Sequence, residues 1–251
     1  MRMRQKMAHE LERALEQAAR RGDVKAAQAA VDAGANVNDA DAYSQTPLYH
    51  AAERGSMEIV RILLRRGANV DKASTYGMTP LMAAAAAGHE DVVAELRYLG
   101  KTTDVNTRDQ WGQTALFAAA WHGHASVIAR LAMSRADINA ANIKQQTPLM
   151  VAADHGYVDA VRALLSERAS ANAQDGKKWT ALMYAVRRQQ PEIVKALLAA
   201  GARLDFINGN GHTAFDLAAA DPAIHRQLVD EKARRDAIDK ARGTSYRPRL
   251  F

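Results

Sequence analysis

The stretch TPLYHAAERGSMEIVRILLRRGANV, Thr46 to Val70, reads as two short helices in succession. Thr46 before Pro47 suits a helix start, because the hydroxyl can cap free amides while proline supplies a helical φ at the first position. Gly55 then ends the first segment in a conformation that costs other residues more. Beyond it, MEIVRILLRRG sets apolar residues at i, i+3 and i+4, enough to bury one face. Such a pair has no core of its own, so what it packs against decides the fold.

The same pattern recurs along the chain. TPL returns at Thr79-Pro80-Leu81 and Thr147-Pro148-Leu149, with degenerate copies at Thr114-Ala115-Leu116, Thr180-Ala181-Leu182 and Thr213-Ala214-Phe215. The threonines lie 33, 35, 33, 33 and 33 residues apart. Gly88, Gly123 and Gly156 repeat the position of Gly55, and Asp71, Asn106, Asn139 and Asn172 follow at a similar offset. Each unit buries its apolar face only against its neighbours, which specifies an elongated solenoid.

With TPL, the alanine-rich first helix such as LMAAAAAG, and the GANVN pattern, the chain resembles the ankyrin-repeat family from about Glu10 to about Asp230. The resemblance implies an all-α solenoid of helix-turn-helix units joined by β-turns or hairpin loops. Residues 1–40 are expected to form an N-terminal helix and capping repeat, and 41–206 five internal repeats starting near Asp41, Ser74, Asp109, Asn142 and Asp175. Residues 207–235 would be the C-terminal cap, starting near Asn208, and 236–251 a basic, flexible tail. Departures are visible too. Tyr49, Met82, Phe117, Met150, Met183 and Asp216 replace the family's hallmark histidine, so hydrogen bonding there must differ. Two extra residues in LRYLGKTTDVN predict a lengthened loop, and Gln189-Gln190-Pro191 replaces a Gly-His turn.

Composition narrows the chemistry. There is no cysteine among the 251 residues, which removes disulfides, thiolate metal sites and cysteine nucleophiles. No HExxH, nucleophile elbow, phosphate loop or dinucleotide fingerprint occurs. His124 shares its Gly-His position with His89 and reads as a turn and helix-start residue. No catalytic residue, metal or cofactor is therefore assigned. The net charge of +6 sits at the ends: residues 22–225 hold 20 basic against 21 acidic side chains.

By the family resemblance, the turn tips and the exposed side of each first helix line a concave surface. Two residues beyond each turn start stand Tyr43, Tyr76, Trp111, Lys144 and Lys177. The slot before threonine holds Met78 and Trp179, and the first helices end in Glu53-Arg54, Ala86-Ala87, Trp121-His122, Asp154-His155 and Arg187-Arg188. Exposed Trp, Tyr and Arg dominate interface energetics. The function expected is binding of a protein or peptide partner, as adaptor, inhibitor or protective partner, by a chain that is monomeric alone. The alternative is nucleic-acid or anionic-membrane association through the basic ends, against which their interleaved acids count. The tail residues Tyr246, Leu250 and Phe251 could fold back along the groove. No apolar run spans a membrane and no signal-peptide core occurs, so a cytoplasmic location is expected, or a periplasmic or secreted one where a signal has been removed. The Ala- and Arg-rich composition suggests a bacterial source.

Overall fold

Six threonines open six of the helices, as their spacing predicts. In the computed structural model, which describes residues 2–99 and 104–241, Thr46, Thr79, Thr114, Thr147, Thr180 and Thr213 each accept the amide three residues on, at 3.2–3.4 Å. Side chains at the hallmark position answer in their own ways. Met82 and Met150 accept the threonine amide through sulfur at 3.5 and 3.4 Å, and Asp216 accepts that of Thr213 at 2.7 Å.

The described residues form seven helix pairs. These are α1 (Arg2–Arg21) with α2 (Val24–Asp32), α3 (Pro47–Arg54) with α4 (Met57–Arg65), α5 (Pro80–Ala87) with α6 (Glu90–Leu99), and α7 (Ala115–His122) with α8 (Ala125–Met133). They continue with α9 (Pro148–His155) and α10 (Val158–Ser166), α11 (Ala181–Arg187) and α12 (Pro191–Ala199), and α13 (Ala214–Leu217) and α14 (Pro222–Ala241). First helices stack on first helices, α1 through α13, and second helices on second helices, α2 through α14.

Small residues make the first stack close. Ala51, Ala52, Ala84, Ala85, Ala119, Ala120, Ala152 and Ala153 are wholly buried between neighbours. The second stack is held by larger side chains: Ile59, Val60 and Leu63, then Val92, Val93 and Leu96, then Val127, Ile128 and Leu131. Each such side chain contributes on the order of 1.5–3 kcal/mol on burial.

The asparagines at the repeat offset tie one unit's loop to the next. Asn106 accepts the amide of Asp137, Asn139 that of Ser170 and Asn172 that of Arg203, each at 2.8 Å. Histidine does the same between first-helix ends. Nε2 of His89 donates to the carbonyl of Glu53 at 3.1 Å, and Nε2 of His124 to that of Ala86 at 2.9 Å. Gly55 is therefore needed twice over: its φ is 78°, and a Cβ there would stand 2.5 Å from the His89 ring.

One expected boundary needs adjustment. The boundary at 235 falls inside α14, which continues to Ala241 because Arg235 still donates to the carbonyls of Ala202 and Leu198 at 2.9 and 3.2 Å. The lengthened loop of the third unit centres on residues 100–103, and the fold-back tail on 244–251; both lie outside the described residues.

Candidate interaction surface

Each turn tip is built on one polar anchor, the residue that starts the repeat. The Oδ1 of Asp41 accepts the amides of Tyr43 and Gln45, both at 2.9 Å; Asp109 repeats this with Trp111 and Gln113 at 2.9 and 2.8 Å. Asn142, Asp175 and Asn208 serve the later turns in the same way. The anchor's own amide donates across the turn, closing it at 2.9–3.0 Å in all six. In five of the six turns an acceptor shared by two donors fixes the tip, whereas Ser74 accepts the amide of Met78 at 3.2 Å.

The tips are also bonded to one another. The carbonyls of Tyr43, Tyr76, Trp111, Lys144 and Lys177 accept amides of Thr75, Gln110, Ile143, Gly176 and Gly209 at 2.8–3.1 Å. The five residues of this slot therefore form one backbone ladder along the stack. Their side chains are free of it: Tyr43 is 56% exposed, Tyr76 43% and Trp111 41%, while Lys144 and Lys177 are exposed as well.

Tyr76 and Trp111 stack with ring centroids 5.9 Å apart and planes at 23°. At the helix ends Trp121, 39% exposed, lies 4.6 Å from the ring of His155, which in turn is parallel to Tyr157 at 5.8 Å. His155 holds its place by donating through Nδ1 to the carbonyl of Val151 at 2.8 Å. His122 stands exposed beside His124 at 6.2 Å, and partial burial together with the neighbouring His124 and His155 lowers its pKa.

Trp179 corrects the expectation of a free surface residue. It is only 9% exposed and belongs to the core, with Tyr184 5.3 Å away. Met78, in the same slot, is half-buried and also packs on the core. That slot precedes the capping threonine, where the chain turns inward. Trp179 still shapes the surface indirectly, because the Arg187 guanidinium rests 4.6 Å from its ring and 5.0 Å from that of Tyr184.

Asp154, Arg187 and Arg188 come together as one cluster. Asp154 accepts from Arg187 at 2.7 Å and from Arg188 at 2.8 Å. Partial burial pushes the carboxyl up, and the two guanidiniums outweigh it, holding the pKa below the usual carboxylate value. Glu53 and Arg54 border a hollow at the other end with Arg20, Tyr43, Gln45 and His50.

Sequence reading missed what lies beneath that hollow. Glu16, Asp41 and His50 bring three ligand-type atoms within 4.8 Å of one another, the only such group among the described residues. Arg20 occupies the same space, pairing with Glu16 at 3.1 Å and with Asp41, and donating through Nε to His50 at 3.2 Å. With an arginine already serving both carboxylates, the cluster is a satisfied polar network and offers a cation little. Ile143, 64% exposed beside the Trp111 turn, was also missed; the slot one residue past the anchor would have shown it.

The basic C-terminal helix is partly neutralised from within. Arg234 and Arg235 both pair with Glu231, at 2.8 and 2.7 Å, holding its pKa down at about 2. No helix among the described residues is long and apolar enough to cross a membrane.

Comparison with known proteins agrees with the architecture. No curated protein matches the chain. Among solved structures, the human ASB11 ankyrin repeat domain is 28% identical with a TM-score of 0.78, over 86% of this chain and 96% of that one. A family model described as ankyrin repeats (3 copies) matches residues 15–109, 96–175 and 167–239. With nearly the whole helical stack so matched, the chain belongs to the ankyrin-repeat family.

Proposed function

We propose that the protein is a non-catalytic interaction module that takes a protein or peptide partner across its turn tips and first-helix ends. One observation carries the reading: Tyr43, Tyr76, Trp111 and Trp121 stay 39–56% exposed on a backbone that hydrogen bonding has already fixed. Rigid, exposed aromatics give contact area at little entropic cost, and such residues are the usual anchors of interfaces. The role is that of an adaptor, inhibitor or protective partner, carried out by a cytoplasmic monomer. The fold alone does not choose among these roles.

Photo-crosslinking tests the surface. A benzophenone amino acid at Tyr43 or Gln110 reports the turn tips, and one at the exposed Ala129 or Arg162 reports the second-helix side. In lysate of the source organism, a discrete adduct is expected from the tip positions and none from the helix positions. Equal adducts from both sides would contradict the reading.

A further inference from the structure

The interaction face is divided by charge along the stack. From Asp41 to His122 its tips and helix ends expose Glu53, Arg54 and Arg108 as their charged side chains, the last with its guanidinium donating to the carbonyls of Gly112 and Ala141, and the rest are aromatic, small or amide residues. From Asn142 to Arg188 it carries Lys144, Lys177, Lys178, Arg187 and Arg188. The carboxylate that reaches the surface among them, the partly buried Asp154, is shared by the two arginines. Ile143 continues the apolar side up to the boundary with Lys144.

We propose that this face binds an acidic peptide segment: a large apolar side chain docks by Tyr76, Trp111 and Trp121, and Asp or Glu residues beside it engage Lys144, Lys177 and Arg187. The inference rests on the binding reading above and names the chemistry of the partner. Arg187 is already oriented by the faces of Trp179 and Tyr184, so its fork can take a second carboxylate with little further ordering. Arg188 can keep Asp154, to which it donates at 2.8 Å, when Arg187 turns to a ligand. Lys144 and Lys177 occupy successive rungs of the tip ladder and point from an immobile backbone.

A peptide suits this arrangement better than a nucleic acid. Phosphates spread their charge evenly and call for a continuous basic track. Here the cations crowd into one half, where Asp154 interrupts them, and thin out to Arg54 and Arg108 in the other. Tyr76 and Trp111 are stacked on each other instead of standing apart as platforms for bases.

The test is to pan a display library of random dodecapeptides against the full chain and to measure the selected peptides by fluorescence anisotropy. Peptides pairing a bulky apolar residue with clustered Asp or Glu are expected. Their affinity should fall about tenfold or more in Lys144→Glu/Lys177→Glu, and weaken with added salt. Peptides without acidic bias, insensitive to that variant but lost in Tyr76→Ala/Trp111→Ala/Trp121→Ala, would overturn the acidic assignment and leave the binding face standing. Peptides insensitive to both variants would overturn both. Failure to enrich any peptide over bare matrix would overturn the acidic assignment. So would displacement of the selected peptides by a single-stranded thymidine oligomer at the same salt.

Discussion

Trp111 and Trp179 are chemically identical and do opposite work, because one stands two residues past its turn anchor and the other four. Removing the buried ring of Trp179 leaves a cavity and strips Arg187 of its support. Trp179→Ala should therefore cost about 3–5 kcal/mol in urea unfolding, and Trp111→Ala under about 1 kcal/mol. Equal costs would refute the division between core and surface. The sequence could not separate them, since the slot before the threonine holds Gln45, Gln113 and Gln146 beside Met78, a mostly polar set that gives no sign of burial. His50 was equally hidden, for its partners come from two other segments. Burial first, then the charge of Arg20, lowers its pKa below the ordinary 6.5, so the folded state favours the neutral ring. The unfolded chain takes up the proton first as pH falls. The stability His50 contributes is therefore present above about pH 6.5 and lost below it, towards the folded pKa. Between pH 7.5 and 5 the melting temperature of the wild type should drop further than that of His50→Gln; parallel drops would remove His50 as the cause.

The turn is the element that the sequence announced best and explained least. Its period was plain because threonine, anchor and asparagine make bonds that recur from unit to unit. The backbone conformation behind it was not. The fourth residue of every turn is left-handed, with φ of 82°, 73° and 82° at Gly77, Gly112 and Gly211. Ser44, Gln145 and Lys178 take the same region at 58°, 61° and 59°, where a Cβ is strained. Gln145→Gly or Lys178→Gly should stabilise the protein by roughly 0.5–1 kcal/mol, the strain relieved exceeding the entropy glycine adds to the unfolded chain. A lower melting temperature in either variant would show that the turn is not strained there. Hydrogen bonds between turns were likewise beyond sequence reading, because they pair residues in different units that are chemically unrelated, such as the Ile143 amide with the Trp111 carbonyl.

In the molecule as a whole, rigidity and exposure come from the same construction. Stacked alanines and aliphatics hold the helices, and the anchors with the ladder of turn bonds hold the tips, so the exposed side chains of Tyr43, Tyr76, Trp111, Lys144 and Lys177 are left free for other contacts. The sequence showed this architecture almost completely, since a solenoid repeats its instructions; it showed the surface less well, since exposure depends on neighbours in space. The central claim is that the exposed aromatics of this face bind the partner. It is tested most directly by affinity capture from lysate of the source organism, with wild type beside Tyr76→Ala/Trp111→Ala/Trp121→Ala, whose fold is verified by circular dichroism. A protein retained by the wild type and lost by the folded triple variant is the expected result; identical captures by the two would contradict the claim.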